Sequence, residues 1–228
     1  MSCTWLMSPE VDVNRMNEKS SPSGVKPPGT VRQLQTSAAL SLRDLAAIFE
    51  DMTTVVDCCE QILVRLTRSE AGLSDITVEA LWTTALISYR RCFVPGPRGM
   101  GLTEEDVEAT GMRGEVVEWH KLLEKLGAHH VDAGATSRET FVVGISQDSG
   151  GNANGVAITS APRPRLDETT VRQTGHLALE LSRLVDERIN SHQETVYNAA
   201  RAMTADALSS LPVVPVAGSE SADSGSPE

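Results

Sequence analysis

The chain has 228 residues, 40% of them hydrophobic, and a net charge of −11. That length suits one large domain or two small ones, and an acidic balance of this size repels a phosphate backbone, which disfavours broad nucleic-acid binding. No segment reaches the roughly 18 uninterrupted apolar residues of a membrane span.

The first 30 residues mix Ser, Pro, Gly and charges, as in Ser20-Ser21-Pro22-Ser23-Gly24 and Pro27-Pro28-Gly29. They show no hydrophobic period that could support a core, so a disordered segment is expected over 1–30. Residues 212–228 read the same way, as a disordered acidic tail with little burial to offset its ordering entropy. The first 30 residues hold three acids and three bases, and the last 17 hold only Glu220, Asp223 and Glu228, so −8 of the −11 lies between them. A helical domain with a β-hairpin near 140–160 is expected over 31–211. Four cysteines, Cys3, Cys58, Cys59 and Cys92, form no CxxC pair, and no apolar leader precedes them. That usage fits a reducing cytoplasm with buried free thiols.

The strongest period runs from Ser41 to Arg68, where Leu42, Leu45, Phe49, Met52, Val56, Cys59, Leu63 and Leu66 alternate steps of three and four. The spacing predicts an amphipathic helix of about seven turns. Ser41 and Asp44 resemble a capping box at its start, and Gly72 suits its stop. So narrow a seam packs along another long helix, either of the same chain or of a second subunit. Ile76 to Phe93 predicts a second helix with two adjacent apolar stripes, Trp82, Leu86, Tyr89, Phe93 and Leu81, Ala85, Ser88, Cys92, hence largely buried. The loop Pro95 to Gly101 is too rich in Gly and Pro to continue it.

Thr103 caps a third helical stretch, whose later part places Val116, Trp119, His120, Leu123 and Leu126 on one face before Gly127 ends it. The period then changes: Thr140 to Ser146 and Gly155 to Ser160 are β-rich runs around Asp148 to Asn154, a hairpin with a longer loop. Pro162 and Pro164 end the second strand. A last helix begins near Glu168 and carries Leu177, Leu181, Leu184, Val185, Ile189, Val196 and Met203.

Candidate chemistry is sparse. Arg90, Arg91 and Arg98 would form a local basic patch, a candidate binding surface, although solvated surface arginines are the commoner outcome. Of five histidines, His120 lies on an apolar face, and His129-His130 precede Asp132. Adjacent side chains diverge and no HExxH occurs, so no metal site is expected. The loop Gly96 to Gly101 follows a helix and lacks Gly-Lys-Ser/Thr, which argues for a connector and against a phosphate cradle. No GxSxG occurs and no motif calls for a cofactor. One pair remains: Arg113 with His120 could stabilise a charged phosphorane and move a proton in RNA cleavage. Packing of His120 in the core is the commoner outcome at such a position.

The run Ala80 to Phe93 (Ala-Leu-Trp-Thr-Thr-Ala-Leu-Ile-Ser-Tyr-Arg-Arg-Cys-Phe), with Trp119-His120 and Phe141-Val142-Val143-Gly144-Ile145, resembles bacterial helical proteins related to the HEPN group. The resemblance covers Ile76 to Ile189. It implies a helical bundle, commonly dimeric, and either an RNase of a toxin-antitoxin or phage-defence system or an inactive binding or scaffold version. Relatives aligned here carry an Arg, then Lys-His, then Ala-His between the third helix and the hairpin. This chain matches at Lys125 and at Ala128-His129, but Leu123 stands in the place of the Arg and Leu126 in that of the first His. An RNA-cleaving reading, joining the Arg113 and His120 spacing to this resemblance, would place catalysis on Arg113, His120, His129 and His130, with Arg91 as a further candidate.

The sequence therefore predicts a mainly α fold, a bundle of about four principal helices with a β-hairpin inserted before the last, self-associating as a dimer through the long first helix. The function it favours is a non-catalytic interaction or structural module with a protein partner. An RNA-cleaving or RNA-binding module is the alternative.

Overall fold

The computed structural model describes residues 30–68, 76–94, 98–132, 139–162 and 166–216. They divide into two compact units, residues 35–201 and, from the two ends of the chain, residues 30–34 with 202–216.

In the small unit, β1 (Thr30–Arg32) pairs antiparallel with β4 (Val213–Pro215), in the register Thr30↔Pro215, Val31↔Val214 and Arg32↔Val213. This pairing reaches beyond the span Val31 to Leu211 in which the sequence offers a core. A short helix, α6 (Ala205–Ser210), precedes β4 and is capped by Thr204, whose hydroxyl accepts a hydrogen bond from Ala207 N. At its other end Arg32 donates to the carbonyls of Ser209 and Leu211, at 2.6 and 2.8 Å. These carbonyls have no partner inside the helix, and the guanidinium supplies both charge and donors for them.

The large unit is helical, with α1 (Ser37–Arg68), α2 (Ile76–Phe93), α3 (Glu104–Ala109), α4 (Val116–Val131) and α5 (Glu168–Arg201), and a hairpin of β2 (Glu139–Gln147) and β3 (Ala153–Pro162) before α5. The expected class, a mainly α bundle with a hairpin ahead of its last long helix, is the observed one. The core lies where α1 packs on α5 and α2, with α4 closing against α2. The seam of α1 is thus filled from within the chain. It is also broader than the predicted stripe: Leu45, Ile48, Met52, Val55, Cys59 and Ile62 are fully enclosed, while Leu42, Phe49, Val56, Leu63 and Leu66 flank them. A helix covered by two neighbours needs a wide apolar face, and the strict three-four seam captured only part of it.

Three local readings are corrected. The helix begins at Ser37, so Ser41 and Asp44 lie inside it and do not form its cap; Gly72 lies outside the described residues. The stretch after Thr103 is two helices, because Gly111 and Gly114 hold φ of 65° and 97°, values that side-chain-bearing residues avoid. Gly127 does not end α4, which continues to Val131. A Cβ on Gly127 would stand 2.8 Å from the Leu86 carbonyl oxygen and 3.1 Å from Arg90 Cβ. The glycine serves close helix approach, which selects the same residue as a helix stop. At the other end, α5 stops at Arg201, leaving Met203 outside it.

The hairpin is longer than predicted because its turn is tight. Asp148 Oδ1 accepts from Gly150 N and Asn152 N, both at 2.9 Å, and Gly151 takes φ 81°. An aspartate that organises backbone donors two and four residues on is a strong turn former.

Gly127→Ala is expected to destabilise the protein by about 1–3 kcal/mol, since overpacking outweighs the helix-propensity gain of about 1 kcal/mol. Thermal melting should show a lower midpoint; an unchanged or raised one would mean that α2 and α4 do not pack this closely.

Candidate functional site

The three arginines proposed as a basic patch have separate fates. Two of them converge on one buried carboxylate: Arg91 and Arg98 meet the two oxygens of Asp51 at 2.9 and 2.8 Å. Asp51 is 5% exposed and Asp44, two helical turns earlier on the same face of α1, is 3% exposed. Asp44 accepts from Gly99 N at 2.7 Å and from Arg43 at 2.8 Å. The Arg43 guanidinium, helped by Gly99 N, holds the Asp44 carboxyl below the usual carboxylate range against the opposing effect of burial. The two aspartates therefore tie the segment from Arg98 to Gly99 onto α1. Arg90 instead lays its aliphatic stem beside Gly127. A third buried acid, Asp106, is raised by desolvation but ends below its ordinary value, because Arg188 pairs with it and Thr103 N donates to it at 2.9 Å. Sequence reasoning missed Asp51 and Asp106 and gave Asp44 to a helix cap, since hydropathy assigns such residues to the surface.

His120 is 3% exposed, and its Nδ1 lies 2.9 Å from the Tyr89 hydroxyl. The ring stacks obliquely on Phe93 with centroids 4.3 Å apart, and Nε2 is 3.6 Å from Glu124. Burial lowers its pKa from the usual histidine value, Glu124 and Glu104 counteract this in part, and the neighbouring Lys121 reinforces it. Arg113 is exposed in the segment before α4, lining an open groove of about 430 Å³ with Trp119, Leu122 and Gln173. His120 does not line that groove. The predicted Arg113 and His120 pair is thus not brought together: the imidazole is part of the core.

His129 and His130 form the last turn of α4, where cationic groups suit the helix dipole. Both are half-buried, with ring centroids 6.2 Å apart and edge-on. Lys125 is exposed, whereas Leu123 is fully enclosed in the core. His176 pairs with Glu180, and His192 Nδ1 lies 2.9 Å from the Arg188 carbonyl. Among the described residues no group of three His, Cys, Asp or Glu could hold a metal ion, and no helix is long and apolar enough to cross a membrane. Burial pushes the thiols of Cys59 and Cys92 up to about 12, which leaves them protonated and poor nucleophiles at neutral pH.

The feature with no account inside the fold is the hairpin. Every residue from Phe141 to Thr159 is exposed, and none belongs to the core. Cross-strand register places Val143 opposite Ile158 and Ile145 opposite Val156, with Phe141 next along the same face. Opposed residues of an antiparallel pair share a face, so five large apolar side chains lie together at 55–71% exposure. The reverse face carries Val142, Gly144, Ala157 and Thr159. Between Thr140 and Ala161 the single charged residue is Asp148, in the turn. Strands that stay in water are normally protected by charges or by a covering element. Between Thr140 and Ala161 these strands carry no charge outside the turn, and no element among the described residues covers them.

No protein-family model, curated protein or solved structure matches this chain.

The buried imidazole has a sign that can be checked. Its folded pKa lies below its unfolded one, so the folded state binds fewer protons in the interval between them. Stability is fully present above about 6.5, the unfolded value, and falls as pH drops from there towards the folded pKa. The urea midpoint should be lower at pH 5.5 than at pH 7.5, and His120→Gln should flatten that difference. An equal pH dependence in wild type and variant would show that His120 is not buried in neutral form.

Proposed function

We propose that this chain is a non-catalytic helical interaction module, in which the helices of the large unit form the body and the hairpin is the arm that engages another protein. The observation that carries this reading is the five-residue apolar face of Phe141, Val143, Ile145, Val156 and Ile158, exposed and free of charge. Contiguous apolar patches of several hundred Å² on a soluble chain mark interaction sites. The net charge of −11 argues in the same direction, since it repels phosphate backbones and keeps the remaining surface soluble.

The RNase alternative, built on the resemblance to HEPN proteins, needs a guanidinium and an imidazole opening into one groove. Arg91 is paired with Asp51, His120 with Tyr89, and Arg113 lines a groove apart from His120. Among the described residues the pairs Arg91 with Asp51 and His120 with Tyr89 serve packing, so chemistry receives less support than docking.

An arm that serves docking is dispensable for folding. Replacing Phe141 to Thr159 with a short Gly-Ser linker should leave the helical far-UV circular dichroism at 25 °C essentially unchanged. Loss of the helical signal would mean that the hairpin is part of the folded body, and would overturn the reading.

A further inference from the structure

We propose that the occupant of the hairpin's apolar face is the same face of a second copy of this chain, stacked across a two-fold axis into a four-stranded, two-layer sheet. The inference rests on the reading of the hairpin as an interaction arm and names its partner.

Four observations select a second copy. The first is symmetry within the patch: Val143 opposes Ile158 and Ile145 opposes Val156, so Val lies diagonal to Val and Ile diagonal to Ile. A local two-fold axis through the Gly144↔Ala157 pair exchanges these four like with like, and Phe141 lies outside the symmetric set. An isologous interface sets this patch against itself across a two-fold axis lying in its plane, and the like-for-like pattern makes that stacking equivalent after a half turn about the sheet normal. The second is charge. A chain of −11 repels its own copies in general, but the patch has no ionised side chain, so stacking it buries none.

The third is area. Five side chains at 55–71% exposure present on the order of 500 Å² of apolar surface, so a stacked pair removes about 1,000 Å², the lower bound of a specific interface. The fourth is the scarcity of other acceptors. Among the described residues the remaining exposed large apolar side chains of the large unit, Leu40, Val64, Ile76, Val94, Leu122, Val131, Val142 and Tyr197, occur one or two to an element, and Val142 stands without a large apolar neighbour on the reverse face of the hairpin. A lone two-stranded hairpin is also marginal in water, whereas four strands sharing an apolar interior are stable. The dimer completes the arm.

The test compares the wild-type chain with Ile145→Glu/Ile158→Glu and Ile145→Lys/Ile158→Lys by light scattering coupled to gel filtration at about 50 µM, a concentration at which a micromolar complex is populated. Wild type should elute at twice the chain mass of 24.4 kDa. Each charged variant should elute at the single mass, its dissociation constant raised at least about 100-fold by burial of unpaired charge. Mixing the two variants should restore the doubled mass through opposite charges. A monomeric wild type, or a charged variant that remains dimeric, would overturn the self-stacking arm. Either result leaves the docking reading standing, because that reading fails separately, through loss of helicity when the arm is removed.

Discussion

Burial of α1 between α5 and α2 is the constraint on which the large unit depends. Leu45, Ile48, Met52, Val55, Cys59 and Ile62 are enclosed along one face, against Leu177, Leu181, Val185 and Ile189 of α5 and Leu86, Tyr89 and Cys92 of α2. Close approach is written into the sequence at two glycines. Gly175 faces Cys59, where an added Cβ would come within 3.1 Å of Cys59 Cβ, and Gly127 sits under the Leu86 carbonyl. Each fully buried aliphatic side chain contributes roughly 1.5–3 kcal/mol of transfer free energy, against the entropy of fixing the chain.

The polar interior follows from the same packing. Asp44 and Asp51 lie on the α1 face that the chain after α2 must cross, and a buried carboxylate without partners would be far too costly to retain. Arg43, Arg91, Arg98 and the Gly99 amide supply those partners. Of the three arginines that look like a surface patch, Arg91 and Arg98 are therefore engaged by Asp51, while Arg90 packs beside Gly127. Asp106 and Arg188 make the corresponding tie between α3 and α5. Tyr89 and His120 satisfy each other inside the core beside Phe93, which removes from solution the histidine that seemed best placed for chemistry.

Much of this was legible from residue spacing, and the remainder fails for identifiable reasons. The periods of α1, α2 and α5 and the strands around Asp148 are present in the sequence, because apolar spacing reports which side must be covered. The break at Gly111 and Gly114 shows only as a change of phase: Val107 and Leu123, both fully buried, would lie about 160° apart on a continuous helix. Gly127 was misread because helix stops and close helix contacts both select glycine. The buried aspartates need knowledge of which arginines come near them, and that is a tertiary property. For the hairpin, alternation located the strands and their facing residues, but alternation alone implies a covered apolar face. Among the described residues nothing covers that face, and this difference is the strongest functional signal in the structure.

The central claim is that a cooperative helical core carries an arm that is not part of it. Backbone amide hydrogen exchange on the Ile145→Glu/Ile158→Glu protein, in which self-stacking is removed, tests this most directly. Amides of Ile48 to Ile62 and Leu177 to Ile189 should exchange slowest, by global unfolding, while those of Val142 to Thr159 exchange through local opening, faster by orders of magnitude. Protection of the hairpin amides equal to that of α1 and α5 would place the arm inside the core and contradict the account.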